Sequence, residues 1–468
     1  MECPHCGAQT EPTGNICDAC GQPLGVTADR VVRTTKRPNP LLLESPWGPR
    51  LLHLLLGLVA IAFLLRYAAS RMGGVEGQSV TLSPVTIEAP EPDFPMPQPP
   101  AKEALPRGEL IRPVAVSLPS PPVLKLAFGS RDERVRDLFV RRNGGGRDTE
   151  EAVKRGLEWL KRNQRPDGSW DCGALGGRPE FTLGVSGLSL LAFLGAGHHH
   201  EIEGPFQQTV DKAVAYLLAS QGEDGRFPGR LYHQGICTMA LVEALGMSGD
   251  TSLELPSQRA VDAIVAAQQE CGGWDYGFAT GTGRGDTSVT GWQVMALKSA
   301  KRVGIDFPET VLPRAREFLD EMTRAKDGAI AYDTKRLWER DDYSLSAMTA
   351  AGLNAHLFAD AEHDERNIKK GVAFLLHYPP VLPRFADGNW RPPANMYLWY
   401  HAALALSRIG GHEWRFWNAR LKRVLLELQN EHDGSWDPHG DRWARHGGGK
   451  IYVTALAILS LEVYYRYD

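Results

Sequence analysis

One short phrase recurs through the C-terminal part of the chain and limits what that part can fold into. It runs Gln164-Arg-Pro-Asp167-Gly168-Ser-Trp170, and returns as Gln221-Gly-Glu-Asp224-Gly225-Arg-Phe227 and Gln268-Gln-Glu-Cys271-Gly272-Gly-Trp274. Weaker copies follow at Arg324-Ala-Lys-Asp327-Gly328-Ala-Ile330 and Arg384-Phe-Ala-Asp387-Gly388-Asn-Trp390, and the last reads Asn430-Glu-His-Asp433-Gly434-Ser-Trp436. Successive copies lie roughly 46 to 60 residues apart, the period of a two-helix repeat. Each copy follows an amphipathic stretch with helical spacing, such as Val153 to Asn163, and precedes an apolar stretch rich in small residues, such as Thr182 to Leu194. The final pair is Trp414 to Leu428 and Tyr452 to Val463. The pattern predicts an all-α region in which six repeats of helix, Asp-Gly turn, loop and helix close into a ring.

The phrase has a local physical meaning. Glycine tolerates positive φ, so Asp-Gly lets the chain turn sharply as it leaves a helix. The aromatic residue that follows can fold back on the helix end, and the glutamine can bond exposed backbone groups at the corner. The copies therefore read as corner clamps, not as catalytic residues.

Gln-x-x-Asp-Gly-x-Trp between helix pairs resembles the repeats of the terpene (squalene) cyclase and protein prenyltransferase β-subunit superfamily. The resemblance covers about Thr149 to the C-terminus. It implies an α6/α6 toroid of six helix pairs, with inner and outer helices around a central cavity. The same ring serves enzymes and binding domains alike, so the resemblance does not fix function.

The region before the ring divides by composition. Cys3-Pro-His-Cys6 and Cys17-Asp-Ala-Cys20, within residues 1–24, have the spacing of two metal knuckles. Four thiolates complete a tetrahedral shell for one structural Zn²⁺, and a ribbon this small depends on the metal to fold. Two disulfides, or an incidental cluster, are the alternatives. Residues 25–50 are a basic linker, and 51–70 carry the apolar run Leu51 to Leu65 between Arg50 and Arg66. Fifteen helical residues rise roughly 22 Å, short of a roughly 30 Å hydrocarbon layer, but Arg66 can snorkel and Tyr67-Ala-Ala extends the path. The run is read as one transmembrane span; a buried helix would need a flanking globular domain. Arg30, Arg33, Lys36, Arg37 and Arg50 before it, against Arg66 and Arg71 after it, place the ribbon in the cytoplasm and the ring outside. Residues 71–122 are a Pro-rich tether, 123–148 an amphipathic lead-in packed on the first repeat, and 149–468 the toroid. A net charge of −4 gives no broad basic surface for nucleic acid. Cys172, Cys237 and Cys271 are scattered and imply no disulfide framework.

In such a ring the inner helices begin at one mouth. Their first residues include Thr182, Tyr232, His233, Asp286, Asp341, Asp342, Asn395, Tyr397, Lys450 and Tyr452, with His401 one turn in. Aspartate at a helix start is what capping alone predicts; convergence of these residues on one rim is what makes them a candidate ligand site. Glu339-Arg-Asp341-Asp342 resembles the Asp-x-Asp-Asp acid motif of squalene-type cyclases, with Glu in the first slot and Tyr343 where Thr is usual. That resemblance makes Asp341 the candidate general acid, with Asp342 beside it. A prenyltransferase-like zinc set would use Asp286 and His401 but meets Ser288 in place of Cys. His198-His-His200-Glu201-Ile-Glu203 reads as a solvated loop before it reads as a metal site.

These readings converge on a membrane-tethered toroid that binds a lipophilic ligand or an envelope protein, using Asp286, His401, His233, Tyr397, Tyr452 and Lys450, aided by Trp338, Trp399 and Trp443. The alternative is a terpene-cyclase-like enzyme working on an isoprenoid through Asp341 and Asp342. A third reading makes the chain a connector, its ribbon engaging a cytoplasmic partner.

Overall fold

The computed structural model describes residues 127–337, 342–359, 365–386, 389–391, 394–441, 444 and 447–467, all within the compact unit Ser117–Asp468. The ribbon cysteines, the basic linker, the apolar run, the tether and the first residues of the lead-in lie outside the described residues, as do Trp338, Asp341 and Trp443. Among the described residues no helix is long and apolar enough to cross a membrane.

A lead-in helix, α1 (Glu133–Asn143), precedes six helix pairs. The outer helices are α2 (Arg147–Arg162), α4 (Gln207–Ser220), α6 (Glu254–Ala266), α8 (Val311–Glu321), α10 (Glu365–Leu376) and α12 (Gly411–Leu428). The inner helices are α3 (Thr182–Gly195), α5 (Leu231–Ser248), α7 (Thr287–Val303), α9 (Asp342–Phe358), α11 (Met396–Ile409) and α13 (Gly449–Leu461). Each inner helix packs on the next, and α13 packs back on α3, so the ring is closed. The outer helices sit in the grooves between inner ones; α2, for instance, packs on both α13 and α3. The chain is an α/α toroid. A short antiparallel hairpin, β1 (Arg384–Ala386) and β2 (Asn389–Arg391), departs from an all-helical plan and flanks the fifth Asp-Gly.

The two helix classes differ because their surroundings do. Outer helices such as α2 and α10 keep one buried face and charged residues on the other. In α3 and α13 nearly every residue is buried, because outer and inner neighbours cover them on several sides. Small residues allow the inner helices to approach closely: a methyl group on Gly187 would press on Cys237, and one on Gly235 would run into Gln293.

The repeated phrase builds the corners. Gln164 Nε2 donates to the Gly168 carbonyl (3.1 Å) and to Thr209 O at the next outer helix (2.9 Å). Gln221 does the same with Gly225 and Pro256, and Gln268 with Gly272 and Val311. In the last copy the clamp is Gln429, one residue earlier than Asn430, whose side chain instead accepts from His432 N. Gln429 reaches Ala152 O on α2 at 2.8 Å and so closes the ring. Gly168, Gly225, Gly272, Gly328 and Gly434 all have positive φ, and at each a Cβ would collide with the backbone of the following outer helix. Trp170, Trp274 and Trp436 are fully buried, and their indoles donate to Leu160, Ile264 and Leu425 carbonyls on the helices just left. Their own amides donate to Ser186, Thr290 and Thr454 on the inner helices.

At the opposite end from the inner-helix starts, the lead-in and the C-terminus fill the ring. Arg131 donates to Glu243 at 2.7 Å and to the Arg466 carbonyl at 3.1 Å, while Arg466 reaches Glu243 at 3.1 Å and Leu191 O at 2.8 Å. All three side chains are fully buried. Burial works to raise the Glu243 carboxyl, but Arg131 and Arg466 outweigh it and hold the group below its ordinary value. The lead-in does touch the first repeat, Arg136 lying 3.4 Å from Glu150, yet its buried anchor is on the second inner helix.

Replacing Trp170 or Trp436 by alanine removes a buried indole and its hydrogen bond, and each change is expected to cost about 3–5 kcal/mol in urea unfolding. Arg162→Ala, which loses an exposed bond to Asp433 O, is expected to stay within about 0.5 kcal/mol. Equal losses at the three positions would reject the corner as the stabilising unit.

Candidate functional site at the mouth of the ring

Two stretches that follow corners lie side by side and shape the mouth. Asp286 N donates to Trp274 O, and Thr287 N donates to Tyr332 O, so the start of α7 is held between the chain after the third corner and the chain after the fourth. This register brings Tyr276 and Tyr332, each two residues beyond its corner position, into a hydrogen bond through their hydroxyls.

Asp286 caps α7. Its Oδ1 accepts from Ser288 N (2.9 Å), Val289 N (3.1 Å) and Ser288 Oγ (2.5 Å). Its Oδ2 accepts from Arg284 Nη2 at 2.7 Å, and the same nitrogen donates to Asp333 at 3.0 Å while Nη1 pairs with Asp275. Arg284 is 2% exposed, and Asp286 and Asp333 are fully buried. Its guanidinium also lies over the Tyr276 ring, 4.9 Å from the centroid. Burial pushes the Asp286 carboxyl above its ordinary value, and Arg284 and the Ser288 hydroxyl pull against that. Each of these bonds is one the carboxylate accepts, so the group is engaged as a structural anion.

Phenols surround this network. The Tyr232 hydroxyl meets Ser288 Oγ, and Tyr397 donates to Ser288 O at 3.4 Å. Tyr232, Tyr276, Tyr397 and Tyr452 are each partly exposed while packing against the core. Burial, with help from neighbouring phenols or carboxylates, keeps the Tyr276, Tyr332, Tyr397 and Tyr452 hydroxyls well above the ordinary phenol range, so they remain neutral. The result is a bowl of aromatic faces whose polar edges are largely tied to one another.

The structure brings together Asp286, Tyr397 and Tyr452 from the residues singled out in the sequence, with Tyr232 between them. It places the others elsewhere. His401 is fully buried beneath Tyr397, its ring 5.2 Å from Trp292 and 5.0 Å from Tyr400. Asn354 Nδ2 lies 3.3 Å from its Nδ1, and burial drives its pKa down to about 3, so the imidazole is neutral. Trp292 and Tyr400 stack at 5.8 Å, joining α7 to α11 across the inside of the ring. His233 packs against Gly184 and bonds Pro228 O at 2.9 Å. Lys450 points to a corner, 2.9 Å from Asp437 and 3.4 Å from Asp433. Trp399 is buried. Asp342 opens α9; Asp341 lies outside the described residues.

Sequence reasoning missed Arg284, Asp333, Tyr276 and Tyr332, and saw in Ser288 only the absence of a cysteine. A signal for the tyrosines existed: Trp274-Asp-Tyr276 and Ile330-Ala-Tyr332 match when the corner positions are aligned. Arg284→Leu strands three carboxylates in or near the core and is expected to cost about 3–5 kcal/mol in urea unfolding. Lys450→Ala removes part-exposed pairs and should cost about 1 kcal/mol or less. An Arg284→Leu loss no larger than that of Lys450→Ala would contradict the buried network.

No model of a known protein family matches the chain. A squalene–hopene cyclase of Bradyrhizobium diazoefficiens is 26% identical over 236 residues, covering 44% of this chain and 33% of the cyclase. The chain thus spans about a third of the length of that curated relative. An inactive variant of the α-1,6-mannanase of Salegentibacter sp. HEL1_6, in complex with α-1,6-mannotetrose, superposes with a TM-score of 0.52 at 11% identity, over 68% of this chain and 99% of the mannanase. The type II terpene cyclase MstE of Scytonema gives a TM-score of 0.45 at 16% identity, over 67% of this chain and 98% of that one. At 11% identity the likeness to the mannanase speaks for the toroidal fold alone, and the chain is similar to a squalene–hopene cyclase in sequence.

Proposed function

We propose that the toroid is a binding module held outside a membrane by the apolar run of residues 51–70, with a zinc ribbon on the cytoplasmic side. Its ligand enters the tyrosine bowl at the mouth of the ring. One observation carries this reading: Trp292, Tyr400 and His401 meet across the inside of the ring below the bowl. Their packing makes the mouth, rather than the ring's depth, the place for a ligand. The bowl offers partly exposed aromatic faces with few unspent hydroxyls, which suits a ligand with a broad apolar face, a lipophilic molecule or an aromatic-rich edge of an envelope protein. Asp286 is fully occupied by its cap and by Arg284, so it is a frame for the bowl and not an acid for chemistry.

The second reading is a cyclase-like reaction on an isoprenoid, favoured by the similarity to a squalene–hopene cyclase. It would use Asp341 as the proton donor with Asp342 beside it. Native mass spectrometry of full-length protein extracted in detergent separates the two. Binding predicts a co-purifying mass that falls tenfold or more in Tyr397→Ala combined with Tyr232→Ala and survives in Asp341→Asn, all with unchanged melting temperature. A mass converted to product by the unmodified protein but not by Asp341→Asn would overturn the binding reading. Reporter fusions test the topology: a fusion after Asp468 should be active only outside the cytoplasm, and one before Met1 only inside. Under reducing conditions, Cys3→Ser with Cys6→Ser should lower the zinc content by one ion per chain.

A further inference from the structure

A second cluster lies at the opposite end of the inner helices, away from the bowl. The loop after α3 carries His198, His199 and His200; Glu201 to Glu203 are exposed, as a solvated loop would be, but the three histidines are buried or half-buried. His198 packs edge-on against Phe206 at 4.8 Å, and burial drives its pKa down to about 4. The His200 side chain is only 6% exposed. Its Nε2 lies 3.1 Å from Asp250 Oδ2 and 4.0 Å from Glu201 Oε1, and donor atoms of all three residues fall within 4.8 Å of one another. Asp250 comes from the loop after α5, 50 residues further on, so the group joins the first repeat to the second.

We propose that His200, Glu201 and Asp250 bind a divalent transition-metal ion at this junction. Two ligands ~2.1 Å from one ion at a tetrahedral angle stand ~3.4 Å apart. The observed separations of 3.1 Å and 4.0 Å bracket that value. One imidazole and two carboxylates are a donor set suited to zinc or manganese, with water completing the shell. The backbone is already fixed on both sides. Gln207 Nε2 donates to the His200 carbonyl at 3.0 Å, and the other Asp250 oxygen accepts from Ser252 N at 2.9 Å, leaving Oδ2 toward the histidine. The buried His200 Nδ1 has no hydrogen-bond partner among the described residues. No bond there fixes the tautomer, so the ring can hold its proton on Nδ1 and present the Nε2 lone pair to an ion. The two carboxylates balance the charge of the ion, and the site would act as a clasp between the loops after α3 and α5.

The test is a zinc count on full-length protein dialysed against micromolar Zn²⁺ and desalted. The unmodified protein and His199→Ala should hold one more zinc per chain than His200→Ala or Glu201→Gln. Zinc bound in the ribbon is common to all four and cancels in the difference. Added Zn²⁺ should also raise the melting temperature of the first two proteins and leave that of the last two unchanged. Glu201 is largely exposed, so Glu201→Gln gives the comparison even where His200→Ala fails to fold. Equal zinc in the unmodified protein and Glu201→Gln, or uptake only at millimolar zinc, would overturn the proposal.

Discussion

The ring rests on one repeated hydrogen-bond pair. A glutamine amide at each clear corner donates to its own glycine carbonyl and to a carbonyl of the next outer helix. The carbonyls it reaches lie near the start of that helix, so one amide ties the corner to the neighbouring helix. The glycine is required at the same place because the following helix backbone leaves no space for a Cβ. Each corner therefore fixes the angle between one repeat and the next. The last clamp returns to the first repeat: Gln429 holds Ala152 on α2 as Gln164 holds Thr209 on α4. Closure is the same local interaction applied once more.

This explains what was legible in the sequence. The corner chemistry is written in consecutive residues, so Gln164, Gly168 and Trp170 disclose their roles without a structure. The helix pairs follow, since apolar spacing reports how many sides of a helix are covered. The single slip, Asn430 for Gln429, arose because one extra residue between the glutamine and the glycine hides the match. The far end of the ring was not legible. Arg131, Glu243 and Arg466 are separated by 112 and 223 residues, and nothing in the neighbourhood of any of them announces its partner. A buried arginine reads as a surface residue until the carboxylate opposite it is known.

The mouth was half legible for the same reason. Asp286 is recognisable as a cap from its neighbours, and Tyr397 and Tyr452 from their place at helix starts. Arg284 is different. It sits in a Gly-rich loop that reads as exposed, yet it is almost wholly buried because three carboxylates from two repeats converge on it. His401 fails in the opposite direction: a polar residue one turn into an inner helix reads as a ligand contact, but Trp292, Tyr397 and Tyr400 pack around its ring and the imidazole is core. Lys450 is turned outward by Asp433 and Asp437, members of the corner itself.

The two ends of the ring are thus built on different physics, and this bears on where a ligand can act. The far end is sealed by fully buried charges whose pairing ties the lead-in, the second inner helix and the C-terminus together. Removing any one of these charges would strand another in a medium that cannot solvate it, so that end has little freedom to open. The mouth also contains buried charge, but Arg284 and its aspartates lie behind the phenols and not in front of them. They hold the α7 start rigid while Tyr232, Tyr276, Tyr397 and Tyr452 keep part of their surface in solvent. Aromatic side chains fixed in this way lose little conformational freedom when a ligand arrives, because much of the ordering has already been done by folding. The tyrosines at the mouth are therefore held in place by the folded ring itself, with the buried charge behind them and the packed His401, Trp292 and Tyr400 below.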